Sequence, residues 1–184
     1  MTLNEVLYLL LILVELVFLI AASVHIIFLI YSWLKGAPYV ATQMKSVDKI
    51  IKHAQIKDGY HIVELGSGDG RFLLSVAKRY KITGVGVDIN PIPIFIARIH
   101  AGIQKADSVK FQVQDIRQAD LTDADVIYIF LFPKLVKEIQ GQLLKKTKKK
   151  AVIISHGFKI DYLQKYHIDT IVNGKFKTYF YQMN

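Results

Sequence analysis

Between Val6 and Trp33 nearly every side chain is apolar, with Glu15 and His25 as ionisable interruptions. Coiled as a helix, such a run rises roughly 42 Å, more than the ~30 Å hydrocarbon core of a bilayer, so it predicts one tilted membrane span. Thr2 and Glu5 have the spacing of a capping box and place the helix start. Tyr8 near one end, and Tyr31 and Trp33 near the other, suit the two interfaces. Gly36, Ala37 and Pro38 then predict a helix end and a short linker.

Beyond the linker the apolar positions fall into short periodic blocks. Met44, Val47, Ile50, Ile51 and Ala54 recur at helical spacing and predict a helix over 44–56. After the Asp58-Gly59 turn pair, His61–Leu65 reads as a strand, 71–80 as a helix and Ile82–Val87 as a second strand. Pro91 opens a helix towards Lys105, and Val109–Val113 is a third strand. Asp125–Phe132, almost wholly apolar, reads as a strand buried on both faces. Pro133 starts a helix to about Leu144, Ala151–Ser155 is a fifth strand, and a short helical piece covers 159–165. Ile168–Val172 and Lys175–Gln182 flank Asn173-Gly174, a strong hairpin signal. Alternating strands and helices predict an α/β fold with a parallel sheet and right-handed crossovers, closed by an antiparallel hairpin.

Charge changes this picture in one respect. All 24 Lys and Arg, and all but two of the 15 Asp and Glu, lie beyond residue 34, so the region after the apolar run is more basic than the net +9 of the chain. A basic domain beside a membrane segment fits anionic lipid or nucleic acid. The first bases, Lys35, Lys45, Lys49, Lys52 and Lys57, place the domain on the cytoplasmic side by the positive-inside rule. The absence of a basic segment before the apolar run disfavours a cleaved signal peptide. Lys145, Lys146, Lys148, Lys149 and Lys150 read first as a solvated helix end. Glu15 within the span is a candidate for recognising a membrane partner. The expected organisation is an anchor over 1–34 and a domain over 35–184. Cysteine is absent, and no His/Asp/Glu cluster has metal-ligand spacing, so no metal is expected.

The chemistry concentrates where the first strand meets its helix, in Glu64-Leu65-Gly66-Ser67-Gly68-Asp69-Gly70-Arg71. Glycines at 66, 68 and 70 let a ligand approach the backbone, but their spacing is neither that of dinucleotide binders nor that of a P-loop. In parallel sheets ligands sit beyond the carboxyl ends of the strands. There the second strand ends in Asp88-Ile89, an acid placed to grip ribose hydroxyls, and Asp115-Ile116 follows the third. Asp115 also reads as a simple turn or helix-cap carboxylate.

This run resembles the first motif of the class I S-adenosylmethionine-dependent methyltransferases. The resemblance implies a Rossmann-like seven-stranded sheet with helices on both faces. It also implies that the Glu64–Gly70 loop wraps the methionine part, that Asp88 binds the ribose, and that Asp115 and Ile116 flank the adenine. A narrower likeness rests on Ala37-Pro38-Tyr39-Val40-Ala41-Thr42, Asp125-Val126-Ile127-Tyr128, Leu131-Phe132-Pro133 and Ser155-His156-Gly157-Phe158. These segments are similar to the membrane-anchored lysine methyltransferase family that includes the enzyme modifying the c-ring protein of ATP synthase. Ala41 and Gln43 depart from prolines frequent there, and a Trp expected near Ile160 is missing.

The implied reaction is attack of a lysine amine on the cofactor's methyl group. Tyr39, Phe132 and Phe158 are candidates for an aromatic mouth, Pro133 follows its strand end, and His156 is a candidate proton acceptor, each with an ordinary packing role as the alternative. No Asp/Asn-Pro-Pro-Tyr/Phe run follows the fourth strand, which disfavours adenine and glutamine amides as targets. A membrane-protein substrate is favoured over nucleic acid. A membrane-held RNA or small-molecule methyltransferase, and a non-catalytic cofactor-binding scaffold, remain as alternatives.

Overall fold

The computed structural model describes residues 2–34 and 42–184, without the side chains of 31–34 and 173. Helix α1 (Leu3–Leu34) starts at the expected capping box: the Thr2 N–H donates to Glu5 Oε2 at 2.9 Å and the Glu5 N–H to Thr2 Oγ1 at 3.4 Å. Leu3–Ile30 has a mean hydropathy of 2.7 and none of its most apolar stretch is buried, so by length and composition it suffices to cross a membrane.

The remainder builds one seven-stranded sheet in the order β3-β2-β1-β4-β5-β7-β6. Its elements run α2 (Met44–His53), β1 (His61–Leu65), α3 (Arg71–Ala77), β2 (Thr83–Asp88), α4 (Pro91–Ile103) and β3 (Val109–Val113). A single 3-10 turn (Ile116–Gln118), β4 (Val126–Ile129), α5 (Pro133–Glu138), α6 (Gln140–Lys145) and β5 (Val152–His156) follow. A 3-10 segment (Asp161–Tyr166) and the antiparallel pair β6 (His167–Asn173) and β7 (Phe176–Gln182) complete it.

Strand periodicity divides the core into two layers. Val126 and Tyr128 enter the layer formed with α2, α3 and α4, whereas Ile127 and Ile129 face the layer formed with α5, α6 and the 3-10 segment. All four β4 residues are therefore buried, which explains their unbroken apolarity.

Two expectations are corrected. The fourth strand stops at Ile129 instead of reaching Phe132. Its ladders with β1 and β5 end at Leu65 and Ser155: β1 itself stops there, and although β5 runs one residue further, to His156, the chain has turned out of the sheet at Phe130. The helix expected over 133–144 is two short helices, broken at Ile139, a buried residue just before Gly141, the weakest helix former in the segment. Tyr39 and the Gly36–Pro38 linker lie outside the described residues.

Candidate functional site

The carboxyl ends of β1, β2, β4 and β5 share one edge of the sheet, and the loop 66–70 lies across it. The Gly66 and Ser67 N–H groups both donate to the Val87 carbonyl at 2.9 Å, folding the loop over the end of β2. Gly66 has φ +75°, and a Cβ there would stand 2.6 Å from Leu131 Cδ2. Gly70 has φ +76° immediately before α3, and a Cβ there would meet Phe111 Cζ at 2.5 Å. Having no side chain, Gly70 cannot cap α3. Glu64 at the strand end does so instead, accepting the Leu73 N–H at 3.2 Å. Glu64 is buried, and desolvation raises its pKa well above the usual carboxylate range; the Leu73 bond opposes that rise, and the neighbouring Asp69 and Asp88 reinforce it.

Asp88 braces the loop from the second strand. Its Oδ2 accepts the Gly68 N–H at 3.0 Å and its Oδ1 the Asn90 N–H at 2.9 Å. Burial raises its pKa, while the N–H groups of Asn90, Gly68 and Ile89 hold it down. A carboxylate offers about four acceptor sites, so beyond these N–H groups it retains capacity to accept a ligand hydroxyl. Ser67 Oγ is buried in the loop with no hydrogen-bond partner among the described residues. A glycine loop at the strand end beside an acid with spare acceptor capacity fits a ligand carrying a ribose.

Sequence reasoning missed a strap over this loop. The Arg71 guanidinium donates to both oxygens of Asp69, at 2.9 and 2.6 Å, and to the Thr42 carbonyl at 2.7 Å. Thr42 Oγ1 lies 3.3 Å from the Tyr128 hydroxyl, and Tyr128 stacks on Phe72 with centroids 3.8 Å apart. The segment leading into α2 is thus tied to the loop and to β4. The arginine directly after the glycines was the one signal in the sequence.

Asp115 receives the Arg117 N–H at 2.9 Å and the Arg117 side chain, and so caps the turn in which Ile116 is buried. That is the cap alternative for Asp115, with its position at the carboxyl edge retained.

The aromatic candidates form two groups beyond Leu131, which itself backs on Gly66. The rings of Phe132 and Phe158 are 5.5 Å apart, and the Ser155 hydroxyl donates to the Phe158 carbonyl at 2.6 Å, fixing that turn. Phe130 packs edge-on against His156 at 4.6 Å and against Phe176 at 5.5 Å. Neither Phe130 nor Phe176 was singled out from the sequence. Their alternation with Phe132 and their place in the hairpin were weak signals. Pro133 occupies the first turn of α5 and fixes the chain direction after Phe132.

His156 is buried, with Nδ1 2.8 Å from Thr178 Oγ1. Desolvation pushes its pKa down to about 4, so the ring is neutral at physiological pH. Because the unfolded chain takes up this proton at ordinary pH and the folded chain does not, folding stability falls as the pH drops from about 6.5 to about 4. Urea midpoints across that range should show His156→Phe losing up to roughly 3 kcal/mol less than the native chain.

The lysine cluster at 145–150 lies away from this edge. Lys148 pairs with Asp125 at 2.5 Å, at the start of β4, and Lys145 closes α6. The solvated helix end is the reading that its position supports.

A family profile described as ANTKMT methyltransferase domain matches residues 64–167. The human lysine N-methyltransferase named for the C subunit of ATP synthase is 26% identical over 122 residues, covering 66% of this chain and 52% of that protein. A protein-lysine N-methyltransferase of Saccharolobus islandicus is 29% identical over 134 residues, covering 70% of this chain and 81% of that one. The chain thus spans about half the length of the human relative. Among solved structures, an RNA methyltransferase from Salinibacter ruber in complex with S-adenosyl-L-homocysteine superposes with a TM-score of 0.73 at 26% identity, covering 78% of this chain and 94% of that one. With the glycine loop, the strand-end acid and the 3-2-1-4-5-7-6 sheet in place, the chain belongs to the ANTKMT methyltransferase-domain family, on a class I S-adenosylmethionine-dependent methyltransferase fold.

Proposed function

We propose that this chain is a membrane-anchored protein-lysine N-methyltransferase whose substrate is a membrane protein. The observation that carries the reading is the family match over 64–167, falling on a loop whose glycines and brace, Asp88, are all present. The human relative is named for lysine methylation of an ATP synthase component, and that name supports both lysine and a membrane substrate. Residues 1–34 are read as a single-pass anchor and 35–184 as the methyltransferase domain, on the cytoplasmic side by the lysine distribution.

S-adenosylmethionine, when bound, supplies an electrophilic methyl group on a sulfonium. In this reading Gly66, Ser67, Gly68, Asp69 and Gly70 hold its amino-acid end, with Glu64 fixing the start of α3 behind them. Asp88 takes the ribose hydroxyls, beside Ile89, and Asp115 and Ile116 border the adenine. Phe132, Phe158 and Phe130 form an apolar approach that favours the neutral amine by desolvation and holds a methylated ammonium by its ring faces. His156, kept neutral by burial, has an acceptor nitrogen to offer if Nδ1–H bonds Thr178. Aligning amine and methyl group is the larger contribution.

The test follows the methyl group. Full-length protein, labelled S-adenosylmethionine and membranes of the source organism should yield label in a membrane protein, recovered as methyl-lysine after hydrolysis and lost with Asp88→Ala. Label in RNA, or cofactor binding without transfer to any fraction, would overturn the reading.

A further inference from the structure

Helix α4 carries apolar residues on nearly every side, yet among the described residues only one side of it is packed. Pro93, Ile94 and Ala97 are buried against the sheet layer. On the opposite side Phe95 is 64% exposed, Ile99 45% and Ile103 75%, with Ile96 beside them at 39%. At about 100° per residue these four fall within an arc of about 100°, a continuous stripe along the helix. A soluble surface helix normally turns polar residues outward, so this face is built for something other than water.

We propose that the outer face of α4 lies in the headgroup region of an anionic bilayer as an in-plane membrane-contact helix. Its length excludes a span: 13 residues rise roughly 20 Å, short of the ~30 Å core. Charge complementarity selects the occupant. Arg98 and His100 border the stripe on its two sides, and between Pro91 and Gln112 the chain carries Arg98, Lys105 and Lys110 against Asp107 alone. An apolar stripe with basic flanks is the pattern of helices that lie in the interface of anionic membranes. The choice of lipid rests on reading α1 as a span, which tethers the domain and lets one short helix dock at high effective concentration. The consequence concerns the site. Helix α4 is capped by Asn90, two residues after Asp88, on the edge that carries the cofactor loop. A helix lying flat therefore keeps that loop at headgroup depth, where lysines of membrane proteins emerge.

The chain has no cysteine, so Ile99→Cys, Gln104→Cys and Leu13→Cys each create a single labelling site, all at exposed positions. Each full-length variant is spin-labelled and reconstituted in vesicles of phosphatidylcholine with a minority of phosphatidylserine. Accessibility to oxygen, relative to a water-soluble nickel chelate, is then measured. The ratio should be several-fold higher at position 99 than at position 104, and the difference should shrink in phosphatidylcholine alone. Equal ratios at 99 and 104, with position 13 embedded, overturn the α4 contact and leave the anchor standing; position 13 exposed as well overturns both. Spin–spin broadening at position 99 assigns the face to a second copy, and protection appearing only in native membranes assigns it to a protein; either result overturns the lipid contact.

Discussion

Asp88→Ala is expected to raise the dissociation constant for S-adenosylmethionine by about 5- to 150-fold, a loss of ~1–3 kcal/mol. Two effects add. The carboxylate that would hold the ribose hydroxyls is gone, and the Gly68 and Asn90 N–H groups lose their acceptor. Asp88→Asn separates them, because its single amide oxygen can replace one of those acceptors while the charge is lost. Its affinity should fall between the native chain and Asp88→Ala in calorimetry. Unchanged affinity in Asp88→Ala would remove Asp88 from the cofactor site.

Gly70→Ala is expected to cost ~3 kcal/mol of folding stability, lowering the melting temperature by about 6–12 °C for a domain of this size. The residue sits at φ +76°, where an L side chain is strained, and its Cβ would stand 2.5 Å from Phe111 Cζ and 3.1 Å from Ala97 Cβ. Phe111 and Ala97 belong to the packed layer between α4 and the sheet, so relief requires moving α4 or the loop. Thermal unfolding of the full chain checks this, and a shift under about 2 °C would show that the loop yields without strain. Gly141→Ala, inside α6 with open space around it, is the matched control and should leave the melting temperature unchanged or slightly raised.

The sequence alone determined the features written in capping and turn chemistry. The capping box at Thr2 and Glu5 and the prolines at 91 and 133 place helix starts through bonds and clashes within one turn. The hairpin at Asn173-Gly174 and the burial of β4 on both faces follow from turn chemistry and strand periodicity. The glycine loop was legible for the same reason, since positive φ at a strand end restricts the residue type on the spot, and Asp88 was legible from its place at the carboxyl end of the second strand.

What only the tertiary structure decided depends on groups distant in sequence. The end of β4 was set by where its ladders with β1 and β5 end, which no property of Phe130–Phe132 reports. Arg71 reaches Thr42 across 29 positions, and Phe176 joins His156 only because β7 pairs with β5. The burial that keeps His156 neutral and raises the pKa of Glu64 is a property of the surrounding layers, not of the residues. The open face of α4 is the same lesson in reverse: the sequence shows an apolar helix, and only packing shows which half of it is left uncovered. Local torsional and capping preferences are encoded residue by residue, whereas desolvation and long-range contacts exist only once the chain has closed on itself.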